Sequence, residues 1–122
     1  MNRATRHEED YLKMLLRFKM TGDDIGTNHL AAKLHVAPPS VTSMLKKLKS
    51  KGLVNYKKYG HISLTPLGER IAISLLRRHR MWEVFLSKTL GFDWNEVHEI
   101  AEQLEHVRSE TLVEKLDEFL GF

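Results

Sequence analysis

The sequence predicts a mainly α fold, with an N-terminal winged helix-turn-helix over residues 1–65 followed by an all-helical domain over 66–122. Three observations carry this. Apolar residues recur at helical spacing along most of the chain, interrupted only by two short strand-like runs at 53–57 and 61–65. Thr65-Pro66 then opens a new helix, as a cap followed by proline at the first helical position. The charge also changes sign there: residues 1–65 hold twelve Lys/Arg against five Asp/Glu, a balance of +7, while 66–122 hold seven against eleven, a balance of −4.

Tyr11, Leu12, Leu15 and Leu16 predict helix one over Glu9–Met20, closed by Gly22-Asp23-Asp24. Thr27 can cap a short second helix with Leu30, Ala31 and Leu34 inside, followed by a turn at His35-Val36-Ala37. Pro39 stands in the first turn of helix three, where its missing N–H costs nothing, and Val41, Met44, Leu45 and Leu48 form the inner face. The strand runs Leu53–Lys57 and His61–Thr65 join through Lys58-Tyr59-Gly60 as a hairpin. The helix opened by Thr65-Pro66 extends to about Leu90, where Gly91 stops it. Asp93-x-x-Glu96 reads as a capping-box-like start for the helix bearing His98 to His106, and Ser109 can begin the last one.

Helix–helix–helix–hairpin is the winged-helix order, and the basic sign of this half points to double-stranded DNA. No carboxylate occurs from Ile25 to Gly68, yet seven lysines do. The candidate contacts are Thr27, Ala37, Pro39, Ser40, Thr42, Ser43, Lys46, Lys47, Lys57 and Lys58. Small hydroxyl side chains let helix three approach base edges, while lysines engage phosphates. Because Ser and Thr discriminate bases poorly, apolar contacts from Ala37 and Pro39 or DNA shape must supply much of the specificity. A winged helix used for protein contacts, with solvated lysines, is the bland alternative.

The chain has no cysteine, which removes disulfides and thiolate ligands. No apolar run reaches the eighteen or so residues of a membrane span, and Met1-Asn2-Arg3 does not lead into a signal-peptide core. A cytoplasmic protein without a membrane partner is expected.

His98, Glu102, Glu105 and His106 fall within an arc of about 100° on a helical wheel. On the preceding helix, His79 and Glu83 point into the stripe marked by Ile71, Ala72, Leu75, Leu76, Trp82, Phe85 and Leu86. Clustered Glu and His are often just a solvated face, but a carboxylate aimed inward needs a cation or a strong hydrogen-bond network. Two such groups on two helices therefore point to a metal-binding domain. Phe92, Trp94, Leu112, Leu116, Phe119 and Phe122 exceed what so small a lobe buries alone, so a homodimer is expected.

An ordered series of motifs resembles the DtxR/MntR family of iron- and manganese-dependent repressors. It comprises Glu9-Asp10-Tyr11-Leu12, Pro38-Pro39-Ser40-Val41-Thr42, Gly52-Leu53-Val54, Leu64-Thr65-Pro66-x-Gly68, Arg78-His79-Arg80 with Glu83, and His98 with Glu105-His106. The resemblance implies a homodimeric repressor of metal-uptake genes whose operator binding is activated by metal. It further implies a primary site of Asp10, Glu102, Glu105 and His106 and an ancillary site of His79, Glu83 and His98. In the manganese-responsive branch the histidine matching His79 belongs to a paired site, which blurs the division.

Iron-responsive members place sulfur ligands at the positions of Asp10 and Glu102. Carboxylates there suit hard Mn²⁺ better, so manganese is the leading cation and Fe²⁺ the alternative. Manganese-type members carry a further glutamate where this chain has Lys13, and longer relatives add an SH3-like third domain beyond the position of Phe122. Two rivals stand beside this reading. A ferritin-like metal enzyme wants Glu-x-x-His on each of two helices, and the residue three before His106 is Gln103. A winged-helix regulator answering an organic ligand would leave the His/Glu cluster as a structural ion-pair network.

Overall fold

A computed structural model describes residues 4–22, 26–57 and 61–121. Its elements are α1 (Arg6–Thr21), α2 (Thr27–Leu34), α3 (Pro38–Ser50), β1 (Val54–Tyr56), β2 (Ile62–Leu64), α4 (Pro66–Val84), α5 (Trp94–Leu104) and α6 (Glu110–Phe119). A π-helical turn over Phe85–Thr89 continues α4. The chain divides into two compact units, residues 1–73 and 74–122, a division that falls inside α4.

In the first unit α1 starts one turn earlier than the apolar pattern indicates, because Thr5 and Glu8 form a reciprocal capping box. The Glu8 N–H donates to Thr5 Oγ1 at 3.2 Å and the Thr5 N–H donates to Glu8 Oε1 at 2.8 Å. Gly22 ends the helix at φ 78°, the left-handed conformation that only glycine adopts cheaply. The expected partners of Gly22 in that stop, Asp23 and Asp24, lie outside the described residues.

Thr27 is the first residue of α2 rather than its cap; Gly26 holds that place and no side chain bonds the helix end. In α3 the cap is Ala37, and Pro38 and Pro39 occupy the first two helical positions. Leu12, Leu15, Leu30, Val41, Leu45, Leu48 and Leu53 are almost completely buried and form the centre of the unit. The two strands pair antiparallel, with Asn55 opposite Ser63, and the residues that would turn the hairpin are outside the described set.

Two motifs separated in sequence meet where the hairpin passes into α4. Thr65 donates its N–H to the Leu53 carbonyl at 3.1 Å and its hydroxyl to the Gly52 carbonyl at 2.7 Å, while the same hydroxyl accepts from the Gly68 N–H at 3.1 Å. A Cβ on Gly68 would overlap the Leu53 carbonyl oxygen. The glycine is therefore required by close approach of α4 to the chain entering β1.

An ion pair between a buried carboxylate and a half-buried lysine completes this unit. Lys51 Nζ lies 2.7 Å from Glu8 Oε1, and Glu8 is 2% exposed. Burial pushes the Glu8 carboxyl up, but the Lys51 bond and the two Thr5 hydrogen bonds outweigh it and hold the group below its ordinary value.

In the second unit Met81, Trp82, Leu86, Val97, Ala101 and Leu116 form the core, with Phe85, Ile100, Leu104, Val113 and Leu120 packed against it. Phe85 sits edge-on between Trp82 and Phe119, with ring centroids 5.9 and 5.7 Å away. The π turn closes with a bond from the Leu90 N–H to the Phe85 carbonyl at 3.2 Å. Ser109 caps α6 through the Leu112 N–H as expected, whereas Asp93 stands at the α5 cap without a side-chain bond. α5 also ends at Leu104, so Glu105 is its C-cap and His106 lies beyond it, correcting a helix expected to continue through His106.

Candidate metal centre

His79 is the hub of the titratable groups in the second unit. It lies on α4, 4% exposed, with Glu83 one turn farther on. Its Nε2 is 3.1 Å from His98 Nδ1 and 3.5 Å from Glu83 Oε1; its Nδ1 is 3.7 Å from Glu105 Oε2. The other Glu83 oxygen is 3.8 Å from His98 Nδ1, and one donor atom from each of His79, Glu83 and His98 fits within 4.8 Å. That span is the size of a cation's coordination sphere.

The second side of His79 leads to the other candidates. Glu105 is completely buried, with Oε2 toward His79 and Oε1 3.9 Å from His106 Nε2. Glu102, near the surface, has Oε1 3.5 Å from His98 Nε2. Glu83 and Glu105 thus each face two imidazoles, and His79 and His98 each face two carboxylates. Asp10 is half-buried on α1 in the first unit, while the other six candidates stand in the second.

The donors suit a divalent cation. Buried His79 Nδ1 has no hydrogen-bond partner among the described residues, an unusual condition for a buried polar atom. An imidazole that ligates through Nε2 commonly directs its other nitrogen at a carboxylate, and Glu105 occupies that side. The donors are oxygen and imidazole nitrogen without sulfur, a set that fits divalent cations such as Mn²⁺ and Fe²⁺.

The turn that carries Glu105 and His106 is pinned from α4. Arg78 donates to the Val107 carbonyl at 3.0 Å and to the Ser74 carbonyl at 3.4 Å, and Arg77 pairs with Asp117 of α6 at 2.7 Å. The sequence reading did not assign Arg78 this part. Its only signal was adjacency to His79, because the partner carbonyl is 29 residues away.

The candidate DNA contacts of α3 form an outward face. Ala37, Pro39, Ser40, Ser43, Lys46 and Lys47 are exposed, and Lys57 is exposed after β1. Thr27 and Thr42 are half-buried, and the Thr42 hydroxyl is turned back onto the Pro38 carbonyl at 3.3 Å. Lys58 lies outside the described residues.

Two family models match in succession and take in almost the whole chain. Residues 3–62 match the iron dependent repressor N-terminal DNA-binding domain, and residues 65–122 match the iron dependent repressor metal-binding and dimerisation domain. The chain belongs to the iron-dependent repressor family.

It is 39% identical over 113 residues to an uncharacterised HTH-type transcriptional regulator of Methanocaldococcus jannaschii, covering 92% of this chain and 90% of that one. It is 30% identical to the iron-dependent repressor IdeR of Mycobacterium tuberculosis over 99% of this chain and 53% of the relative. The solved manganese regulator SloR superposes with a TM-score of 0.81 at 41% identity, over 93% of this chain and 53% of that structure. The chain thus spans about half the length of IdeR and SloR and nearly all of the archaeal regulator. The family and these relatives are transcriptional regulators rather than enzymes, which removes the ferritin-like alternative. The fold is the mainly α one expected, a winged helix-turn-helix followed by helices. No described helix is long and apolar enough to cross a membrane.

Proposed function

We propose that this iron-dependent repressor family member is a homodimeric repressor of manganese or iron uptake genes whose binding to double-stranded operator DNA is activated by a divalent cation, Mn²⁺ first and Fe²⁺ as the alternative. The observation that carries this is the His79 hub, where a buried ring faces Glu83 and His98 with one nitrogen and Glu105 with the other. Bound there, a divalent cation supplies positive charge to a cluster rich in carboxylates. The chain's own residues do the rest. His79, Glu83 and His98 offer one group of donors, and Glu102, Glu105 and His106 a second.

Asp10 is assigned to the second group from its place in the helix-one motif. It matters because α1 belongs to the unit that carries the recognition helix α3. A ligand on α1 makes metal occupancy and operator affinity depend on each other, and the dependence must be reciprocal.

The dimer contact is assigned to apolar side chains that the second unit leaves in water. Trp94 is 79% and Phe119 64% exposed, and Leu90, Phe92 and Leu112 join them. Leu116, expected among them, is buried within its own unit, and Phe122 lies outside the described residues. A two-fold dimer would offer two α3 faces to successive major grooves.

Gel-shift titration of a family-type palindromic operator with wild type and Asp10→Ala tests the assignment. Mn²⁺ should strengthen wild-type binding and have little effect on the variant, which should remain dimeric by sedimentation. Equal metal dependence in both proteins rejects Asp10 as a ligand.

A further inference from the structure

The Glu8–Lys51 pair, with its carboxylate buried, joins the first turn of α1 to the end of the recognition helix. Lys51 is the residue at which α3 terminates, its N–H bonded to the Lys47 carbonyl, and Gly52 follows at φ 73° to turn the chain toward β1. Glu8 lies two residues before Asp10. The 2.7 Å bond between Glu8 and Lys51 spans 43 residues of sequence.

Its setting differs from that of Lys19–Glu69, another ion pair in this unit. Lys19–Glu69 has side chains 58% and 32% exposed and is free to exchange with water. Here the lysine side chain is 31% exposed but Glu8 only 2%, and the second Glu8 oxygen has no hydrogen-bond partner among the described residues. Letting go of Lys51 would strand a buried carboxylate without its charged partner, so parting the two is costly. Ion pairs with a buried member add little net stability over apolar side chains of similar size, and their best-attested use is to fix geometry. The α1 capping box alone would satisfy the helix end; it does not require a lysine from α3.

We infer that the Glu8–Lys51 pair is a positioning link that ties the recognition helix to the first turn of α1, so that a ligand state sensed at Asp10 is passed to the DNA-binding face. The inference rests on the proposed role of Asp10. Neither Glu8 nor Lys51 is a metal ligand in it.

The test measures the dissociation constant of a fluorescein-labelled palindromic family-type operator duplex with excess Mn²⁺ and with EDTA, for wild type, Glu8→Gln, Lys51→Met and the paired Glu8→Met/Lys51→Met variant. The quantity read is the ratio of the two constants. Each single change should lower that ratio at least about fivefold, the lower end of ordinary coupling strengths, and the paired change should lower it no further. Mn²⁺ affinity without DNA should stay within about twofold of wild type.

The paired variant replaces the ion pair by apolar side chains and guards against loss of the fold in a single variant. If Lys51→Met weakens binding equally with and without metal while Glu8→Gln changes nothing, Lys51 is only a phosphate contact and the inference is overturned. An unchanged ratio in all three variants also overturns it while leaving the proposed function intact. A wild-type ratio of one overturns the proposed function and this link together.

Discussion

His79 Nε2 and His98 Nδ1 lie 3.1 Å apart, with ring centroids separated by 4.7 Å at 66°. Two imidazole nitrogens this close share one proton as a hydrogen bond, or serve as neighbouring ligands of one cation. Glu83, 3.5 Å from the first ring and 3.8 Å from the second, adds carboxylate oxygens to the same cluster.

His79→Ala should therefore weaken Mn²⁺ binding by at least roughly 10-fold, because it removes a donor and releases Glu105 from its neighbour. Isothermal titration calorimetry reads this directly. An affinity equal to wild type would assign His79 to the core alone.

Arg78 positions the Glu105–His106 turn through the Val107 carbonyl. Arg78→Met keeps most of the packing of the stem but loses a charged donor to two backbone carbonyls, so it should cost about 1.5 kcal/mol. Urea unfolding measures the loss. Because the turn carries two candidate ligands, metal should restore less stability to this variant than to wild type, a difference visible as a smaller Mn²⁺-induced rise in Tm.

How far this centre was legible depends on distance along the chain. The i, i+4 pairs His79/Glu83 and His98/Glu102 follow from helical spacing alone, and both are close in the structure. The meeting of His79 with Glu105 spans 26 residues and depends on how α4 and the turn after α5 pack, which no local pattern encodes. The wheel also ran too far. No glycine or proline occurs between Leu104 and Val107 to announce the stop, and the turn is held instead by Arg78. Caps divided in the same way. Thr65-Pro66 and Ser109 act as their residue types indicate, but Asp93 has the right spacing without the bond. Thr5-x-x-Glu8 was readable as a capping box; starting helix one at Glu9 passed over it.

Gly68→Ala should destabilise the first unit by about 1–3 kcal/mol, since the added methyl meets a backbone carbonyl that no rotamer change can move. Chemical denaturation followed by far-UV circular dichroism checks this. A neutral effect would mean that α4 can shift off Leu53 at no cost.

Acid should expose the Glu8–Lys51 pair. The folded-state carboxyl is held below its ordinary value of 4.5, so its contribution is present above that pH and disappears as pH falls through the lower folded value. The facing charge is Lys51 from α3, with Thr5 donating from the start of α1. Glu8→Gln should therefore lose stability relative to wild type at neutral pH and converge with it in acid. Parallel stability–pH curves for the two proteins would contradict the pairing.

The central claim is that a divalent cation switches this chain onto DNA. Fluorescence anisotropy of a labelled palindromic operator, titrated with protein at fixed salt in EDTA, Mn²⁺ or anaerobic Fe²⁺, tests it most directly. Tight binding in the presence of metal alone is the expected result, with Mn²⁺ effective at the lower concentration. Equal binding in EDTA would contradict it, leaving a winged-helix regulator whose His/Glu cluster is structural or whose effector is an organic ligand.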